Sequence, residues 1–140
     1  MTEVIVSKEI NIPAAAAWEN LSSFRGIEKY SPIERSETTG HGVGATRTCY
    51  LPDGAAIHEV LDRVEESSME MVYKITEGPF PVSGYVSTIK VSPRGKSSCQ
   101  ITWGGEFECN KEVETEMIKL FEGFYHVIIE SLENVIQNQN

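Results

Sequence analysis

Four polar side chains stand on segments that otherwise alternate apolar and polar residues, His58, Tyr73, Tyr85 and Ser87, and a fifth, Arg47, stands on a strand-like segment before them. Alternation puts His58 on an inward strand face with Ala56 and Val60. An imidazole there is a general base, a donor that orients a ligand, or a core histidine satisfied by its neighbours. Tyr73, Tyr85 and Ser87 carry hydroxyls on inward faces, each able to donate to a ligand oxygen or to bond a backbone group or water. Arg47 is costly to bury alone, so Asp62, an anion in a cavity, or a guanidinium snorkelling to solvent must satisfy it. If the chain catalyses a reaction, His58 and Tyr85 are the candidates for moving a proton.

Other chemistries find less support. Gly40-His41-Gly42-Val43-Gly44 has neither dinucleotide nor Walker spacing and is followed by a strand, so it reads as a hairpin turn. His41, His58 and His126 fall on a turn, a strand and the polar side of a helix, which argues against a metal site. Cys49, Cys99 and Cys109 cannot all pair and lack C-x-x-C spacing; they are expected reduced and buried. No nucleophile elbow is present, and no cofactor is expected. A net charge of −9, with no basic cluster to offset it, argues against nucleic acid as a partner. No window approaches the length of a membrane span, and no leader-like segment opens the chain, so a cytoplasmic protein is expected.

The elements that must position these residues end in one long helix. From Asn110 as N-cap to Gln137, apolar residues recur at Val113, Met117, Leu120, Phe121, Phe124, Ile128, Leu132 and Val135, one face of a 3.6-residue period. Glu112 and Glu114 in its first turn complement the helix dipole. A flank of Ile118, Tyr125, Ile129 and Ile136 widens the apolar face to about half the girth and suggests a weak homodimer. Such a helix needs a sheet or a cradle to cover it.

The rest of the chain supplies one. Glu3 to Ile12 alternates as a strand, and Pro13 opens a short helix through Trp18 to Leu21. A second helical turn at Gly26 to Tyr30 stops before Pro32. From Ile33 to Cys109 almost every segment is strand-like and bounded by turn residues. Alternation points Met69, Met71, Tyr73 and Ile75 inward, then Tyr85, Ser87, Ile89 and Val91, then Cys99, Ile101, Trp103, Gly105 and Phe107. On the strand Ala55 to Glu66 the charges Glu59, Arg63 and Glu65 mark the outer face, leaving Ala56, His58 and Val60 inside and Leu61 anomalous, which suggests a bulge. The predicted fold is α+β: a curved antiparallel sheet of about seven strands wrapped round the terminal helix, with two short helices between the first two strands. At 140 residues and 40% apolar composition, one domain over 1–140 is expected.

This order of elements, P-x-x-x-x-W after the first strand, G-x-x-R-x-x-x-L-P-D-G-x-x-x-x-E-V-L-D from Gly44 to Asp62, Y-K-I-T-E-G-P-F-P-V-S-G-Y from Tyr73 to Tyr85, and T-W-G-G-E-F later resemble the bacterial polyketide cyclase/dehydratase-like proteins. These belong to the START-like superfamily, with the birch pollen allergen fold and the plant abscisic acid receptors. The resemblance implies a helix-grip fold with a cavity between sheet and long helix, suited to a lipophilic small molecule.

By position it implies a pocket of Tyr30, Arg47, Cys49 and Leu51; of Ala56, His58, Tyr73 and Ile75; of Phe80, Val82, Tyr85 and Ser87; and of Trp103, Leu120, Phe124 and Ile128. Leu51 to Gly54 and Gly78 to Val82 resemble the loops at the cavity mouth. The inward acid that often precedes E-V-L-D in relatives falls on Ala56, and Trp103 stands where the receptors' last strand carries an acid. The reading that follows is a carrier or sensor of a small lipophilic or aromatic molecule. The alternatives are a cyclase/dehydratase-type lyase or isomerase using the same cavity, and an interaction or dimerisation module without ligand.

Overall fold

The computed structural model describes residues 1–139. Strand β1 (Thr2–Ile10) leads into helix α1 (Ala14–Ser22) and a 3₁₀ turn at Ile27–Tyr30. Six strands follow: β2 (Arg35–Thr39), β3 (Thr46–Tyr50), β4 (Ala56–Glu65), β5 (Glu70–Glu77), β6 (Ser83–Pro93) and β7 (Cys99–Glu108). Helix α2 (Lys111–Gln137) is the last regular element among the described residues. Strands β2 to β7 form a meander, and β1 closes the opposite edge against β7 to give the order β1-β7-β6-β5-β4-β3-β2, antiparallel throughout.

The sheet curves because its registers slip. Shifts between His58 and Glu59, between Leu61 and Arg63, and between Ser83 and Val86 each bend a strand locally. Gly84 sits in the last of these at φ +61°, a left-handed backbone that residues with a Cβ rarely adopt. Across the concave face lies α2, burying Met117, Phe121, Tyr125, Ile128, Ile129, Leu132 and Ile136 against inward residues that include Val4, Val6, Tyr85, Ile89, Ile101, Trp103 and Phe107. Asn110 caps α2 by position only; its side chain makes no cap bond, and Glu114 in the first turn instead accepts the Thr2 hydroxyl at 2.6 Å. Helix α1 is pinned from the other side, its Trp18 Nε1 donating to Glu66 in the β4–β5 turn at 2.6 Å.

Two expectations about faces are corrected. On β4 the inward residues are Ile57, Glu59 and Leu61, whereas Ala56, His58 and Val60 are only half-buried. The bulge expected near Leu61 lies at Leu61/Arg63 and reverses the phase, so Asp62 and Arg63 are both exposed and Val64 turns inward. Glu59, expected on the outer face with Arg63 and Glu65, therefore stands on the opposite face from them. On α2, Tyr125, Ile129 and Ile136 form part of the packed interior instead of a flank for a second copy, because β1 and the 3₁₀ turn also pack against the helix. The large apolar residues left most open on α2 are Leu120, at 37% exposure, and Val127, at 45%.

Candidate functional site

A cavity of about 40 Å³ lies between the sheet and the middle of α2. The sheet contributes Cys49 from β3, Ile57 and Glu59 from β4, Tyr73 and Ile75 from β5, and Tyr85 from β6; Leu120, Phe121, Phe124, Tyr125 and Ile128 come from α2. Ile27, Ile33 and Phe80 complete the lining from the connections. Phe80, in the β5–β6 loop, sets its ring edge-on to Phe121 with centroids 5.4 Å apart. With half-buried Phe124 and the more open Leu120 it forms the part of the wall nearest solvent.

The charge in this wall is Glu59, paired with Arg47 behind it, and both are more than nine-tenths buried. Arg47 Nε and Nη2 donate to the same carboxylate oxygen, Glu59 Oε1, at 2.8 and 2.5 Å. The guanidinium carbon also lies 3.9 Å from the Phe24 ring centroid and 5.6 Å from that of Tyr73, so aromatic faces share its charge. Burial works to lower the Arg47 pKa, but the Glu59 carboxylate beside it reverses the effect, and the net shift is upward. The arginine is charged at any ordinary pH. This carboxylate is the partner that the sequence left open; Asp62 lies at the surface, 3.7 Å from Lys74.

Above the pair sits a set of phenols. Tyr85 and Tyr125 share a hydrogen bond between their hydroxyls, and Tyr125 stacks on Trp103 with centroids 5.7 Å apart. Burial, and next the Glu59 charge, push Tyr73 up to about 12, against the smaller pulls of Ser87, Arg47 and Trp103. Burial also raises Tyr85 and Tyr125 well above the usual phenol range, with the neighbouring phenols adding to it. The Cys49 thiol is pushed up to about 12 by burial and then by Glu59. At neutral pH these groups are hydrogen-bond donors, not bases or nucleophiles.

Of the residues singled out from the sequence, Cys49, Tyr73, Ile75, Phe80, Tyr85, Leu120, Phe124 and Ile128 line the cavity. The others are elsewhere. His58 is on the outer side of β4, its Nδ1 3.3 Å from the Thr48 hydroxyl, so the inward histidine is overturned. Ala56 shares that side for the same reason, and an inward acid is present after all, as Glu59. Ser87 is fully buried but spends its hydroxyl on the Gly104 carbonyl at 2.7 Å. Trp103 is inward and lies behind Tyr125, and Arg47 stands behind Glu59. Tyr30 is buried in the 3₁₀ turn, while Leu51 and Val82 are half-buried at neighbouring loops. His41 and His126 are exposed.

The sequence reading missed Ile27, Ile33, Ile57, Glu59, Phe121 and Tyr125. One signal for Glu59 was present. In a hairpin turning about Asp53, residues equally distant from it face each other, which sets Arg47 opposite Glu59.

A seven-stranded antiparallel sheet gripping a long terminal helix, with an apolar cavity between them, defines the START-like helix-grip fold. The chain belongs to the family described as polyketide cyclase / dehydrase and lipid transport, whose model matches residues 1–137. Among solved structures it is similar to the protein XoxI from Bacillus cereus, at 28% identity over 99% of this chain and 97% of that one, with a TM-score of 0.88. A Thermobifida fusca protein is 26% identical over 95% and 91% of the two chains, with a TM-score of 0.83. Norcoclaurine synthase from Thalictrum flavum, solved in complex with dopamine and hydroxybenzaldehyde, shares the fold at 20% identity, with coverage of 99% and 88% and a TM-score of 0.78. No curated protein matches by sequence.

Proposed function

We propose that this protein binds a small apolar or aromatic molecule between the sheet and α2, as a carrier or sensor. The observation that carries the reading is the lining itself: sheet, 3₁₀ turn and helix all turn apolar side chains toward one space, and Glu59 supplies a charged group within it. The family's description, which includes lipid transport, supports the same reading. At about 40 Å³ the space is smaller than an aromatic ring. Binding therefore selects a wider form, in which Phe80 swings from Phe121 and the β5–β6 loop lifts. His58 faces outward and Tyr85 stays protonated near neutrality, so neither of the two residues that the sequence offered for moving a proton acts as a base in the cavity.

Titration with the neutral fluorescent probe N-phenyl-1-naphthylamine tests this. One probe per chain should bind saturably, and Phe124→Trp, which adds volume at the rim, should weaken uptake at least about tenfold while a cooperative melt persists. Uptake that is absent, or indifferent to Phe124→Trp, would overturn the proposal.

A further inference from the structure

The cavity holds one charged group whose hydrogen-bonding capacity is half used. Both donors of Arg47 that reach Glu59 go to Oε1, and no described residue donates to Oε2. Among the described residues the one fully enclosed side-chain polar atom without a partner is Trp103 Nε1. Glu59 Oε2, also without one, thus keeps contact with open space although the residue is only 7% exposed. The open space that Glu59 borders is the cavity. Tyr73 lines it as well, and Glu59 is the charge that acts most strongly on its phenol.

An acceptor in an apolar wall selects a donor. The sign of the donor's charge is set by Arg47, which compensates Glu59 and leaves the pair neutral. An anionic head would meet the carboxylate oxygen and no free cation. A cationic head would lose its hydration without finding a net counter-charge. A neutral O–H loses least and gains a charge-assisted hydrogen bond.

We propose, resting on the binding reading above, that the ligand is a neutral aromatic molecule bearing a hydroxyl, whose O–H is donated to Glu59 Oε2 while Arg47 holds Oε1. Arg47 is a positioning residue: it fixes the carboxylate's rotamer and cancels its charge.

Four naphthalenes test this by displacement of N-phenyl-1-naphthylamine: 2-naphthol, naphthalene, 2-naphthoate and 2-naphthylmethylammonium. The expected order puts 2-naphthol about 10- to 100-fold above naphthalene, the range of a hydrogen bond to a charged group, with both ions weakest. In Arg47→Met/Glu59→Leu, which replaces the pair by apolar side chains, the advantage of 2-naphthol over naphthalene should vanish. In Glu59→Gln, Arg47 is left as an uncompensated cation and 2-naphthoate should become the best of the four. If 2-naphthol and naphthalene bind the native protein alike, or the ammonium binds best, the donor assignment is overturned and the binding reading stands. If the probe binds and none of the four displaces it, the donor assignment is overturned and the binding reading stands; if the probe itself does not bind, the binding reading fails and takes this proposal with it. A 2-naphthol preference that survives in Arg47→Met/Glu59→Leu would place the recognition on another group and overturn the role of Glu59.

Discussion

Arg47 stands directly opposite Glu59 in the β3–β4 ladder, and the two close a buried ion pair across the hairpin that turns at Pro52-Asp53-Gly54. The relationship is local in sequence, twelve residues apart, yet it sets the character of the whole interior. It places a carboxylate in the cavity wall, neutralises it, and lays the guanidinium on Phe24, which anchors the segment between α1 and the 3₁₀ turn.

Removing one partner should be far worse than removing both. Arg47→Met leaves Glu59 buried without its counter-charge and should cost about 3–5 kcal/mol of unfolding free energy; Arg47→Met/Glu59→Leu should return to within about 1 kcal/mol of the native protein. Urea denaturation of both single variants and the double gives the coupling. Additive losses would mean that the pair is solvated and not part of the interior.

The pair also marks where sequence reasoning succeeds and where it stops. The inward sets on β5, β6 and β7 were legible because those strands keep one phase through the residues that pack on α2: Tyr85, Ser87, Ile89 and Val91 are buried in succession, as are Cys99, Ile101, Trp103 and Phe107. Strand β4 was not, for two physical reasons. A bulge shifts the phase at Leu61/Arg63, and a charge is a sound marker of the outer face only when no opposite charge lies across the ladder. The eight cavity residues foreseen are those on regular strands, the main helix stripe and the mouth loop. Phe121 belongs to that same stripe and Tyr125 to its flank; their place in the cavity depends on how the helix is rotated over the sheet, which periodicity does not state. The breadth of the buried arc of α2 was likewise hidden, since it depends on how far β1 and the 3₁₀ turn climb the helix.

That breadth bears on self-association. Ile129 is fully buried, so Ile129→Glu forces a charge into the core and should abolish the cooperative thermal transition, instead of merely separating a dimer. Removing the residues after Gly123 deletes Tyr125, Ile128, Ile129, Leu132 and Ile136 together and should do the same, because each contributes about 1.5–3 kcal/mol against a total of about 5–15. A folded, sharply melting Ile129→Glu protein would show that this face of α2 is not packed on the sheet.

Gly105 is required by the tyrosine pair. A Cβ there would overlap Tyr125 Oη and come within 3.2 Å of the Tyr85 ring and hydroxyl. Gly105→Ala should destabilise by about 1–3 kcal/mol, as overpacking does, and Tyr125→Phe in the same chain should recover part of the loss by removing the overlapping atom. A neutral Gly105→Ala, measured by urea midpoint at unchanged m-value, would mean that the pair can slide without cost.

The buried phenols and thiol predict an alkaline limit to stability. Each is neutral when protonated, and each has a folded-state pKa above its ordinary value: Cys49 moves from 9.0 to about 12, and Tyr30 and Tyr73 from 10.0 to about 12, with Tyr85 and Tyr125 also raised. Below pH 9.0 both states hold these protons, so the contribution is fully present. Above it the unfolded chain releases first the thiol and then, past 10.0, the phenols, while the folded chain keeps them; the unfolded state binds fewer protons and stability falls as pH rises. Each group adds a slope of about 1.4 kcal/mol per pH unit until its folded pKa is reached. Urea unfolding at about pH 8, 10 and 11 should show the decline, with Cys49→Ala reducing its earliest part, to which the buried Cys99 thiol, raised by burial and then by Glu133, also contributes, and Tyr85→Phe reducing the later slope. Spectrophotometric titration of the native protein should find Tyr30, Tyr73, Tyr85 and Tyr125 still protonated at about pH 11, released together when the fold collapses. Smooth ionisation of these four near 10 in a protein that stays folded would show that the phenols reach solvent and that the interior is open.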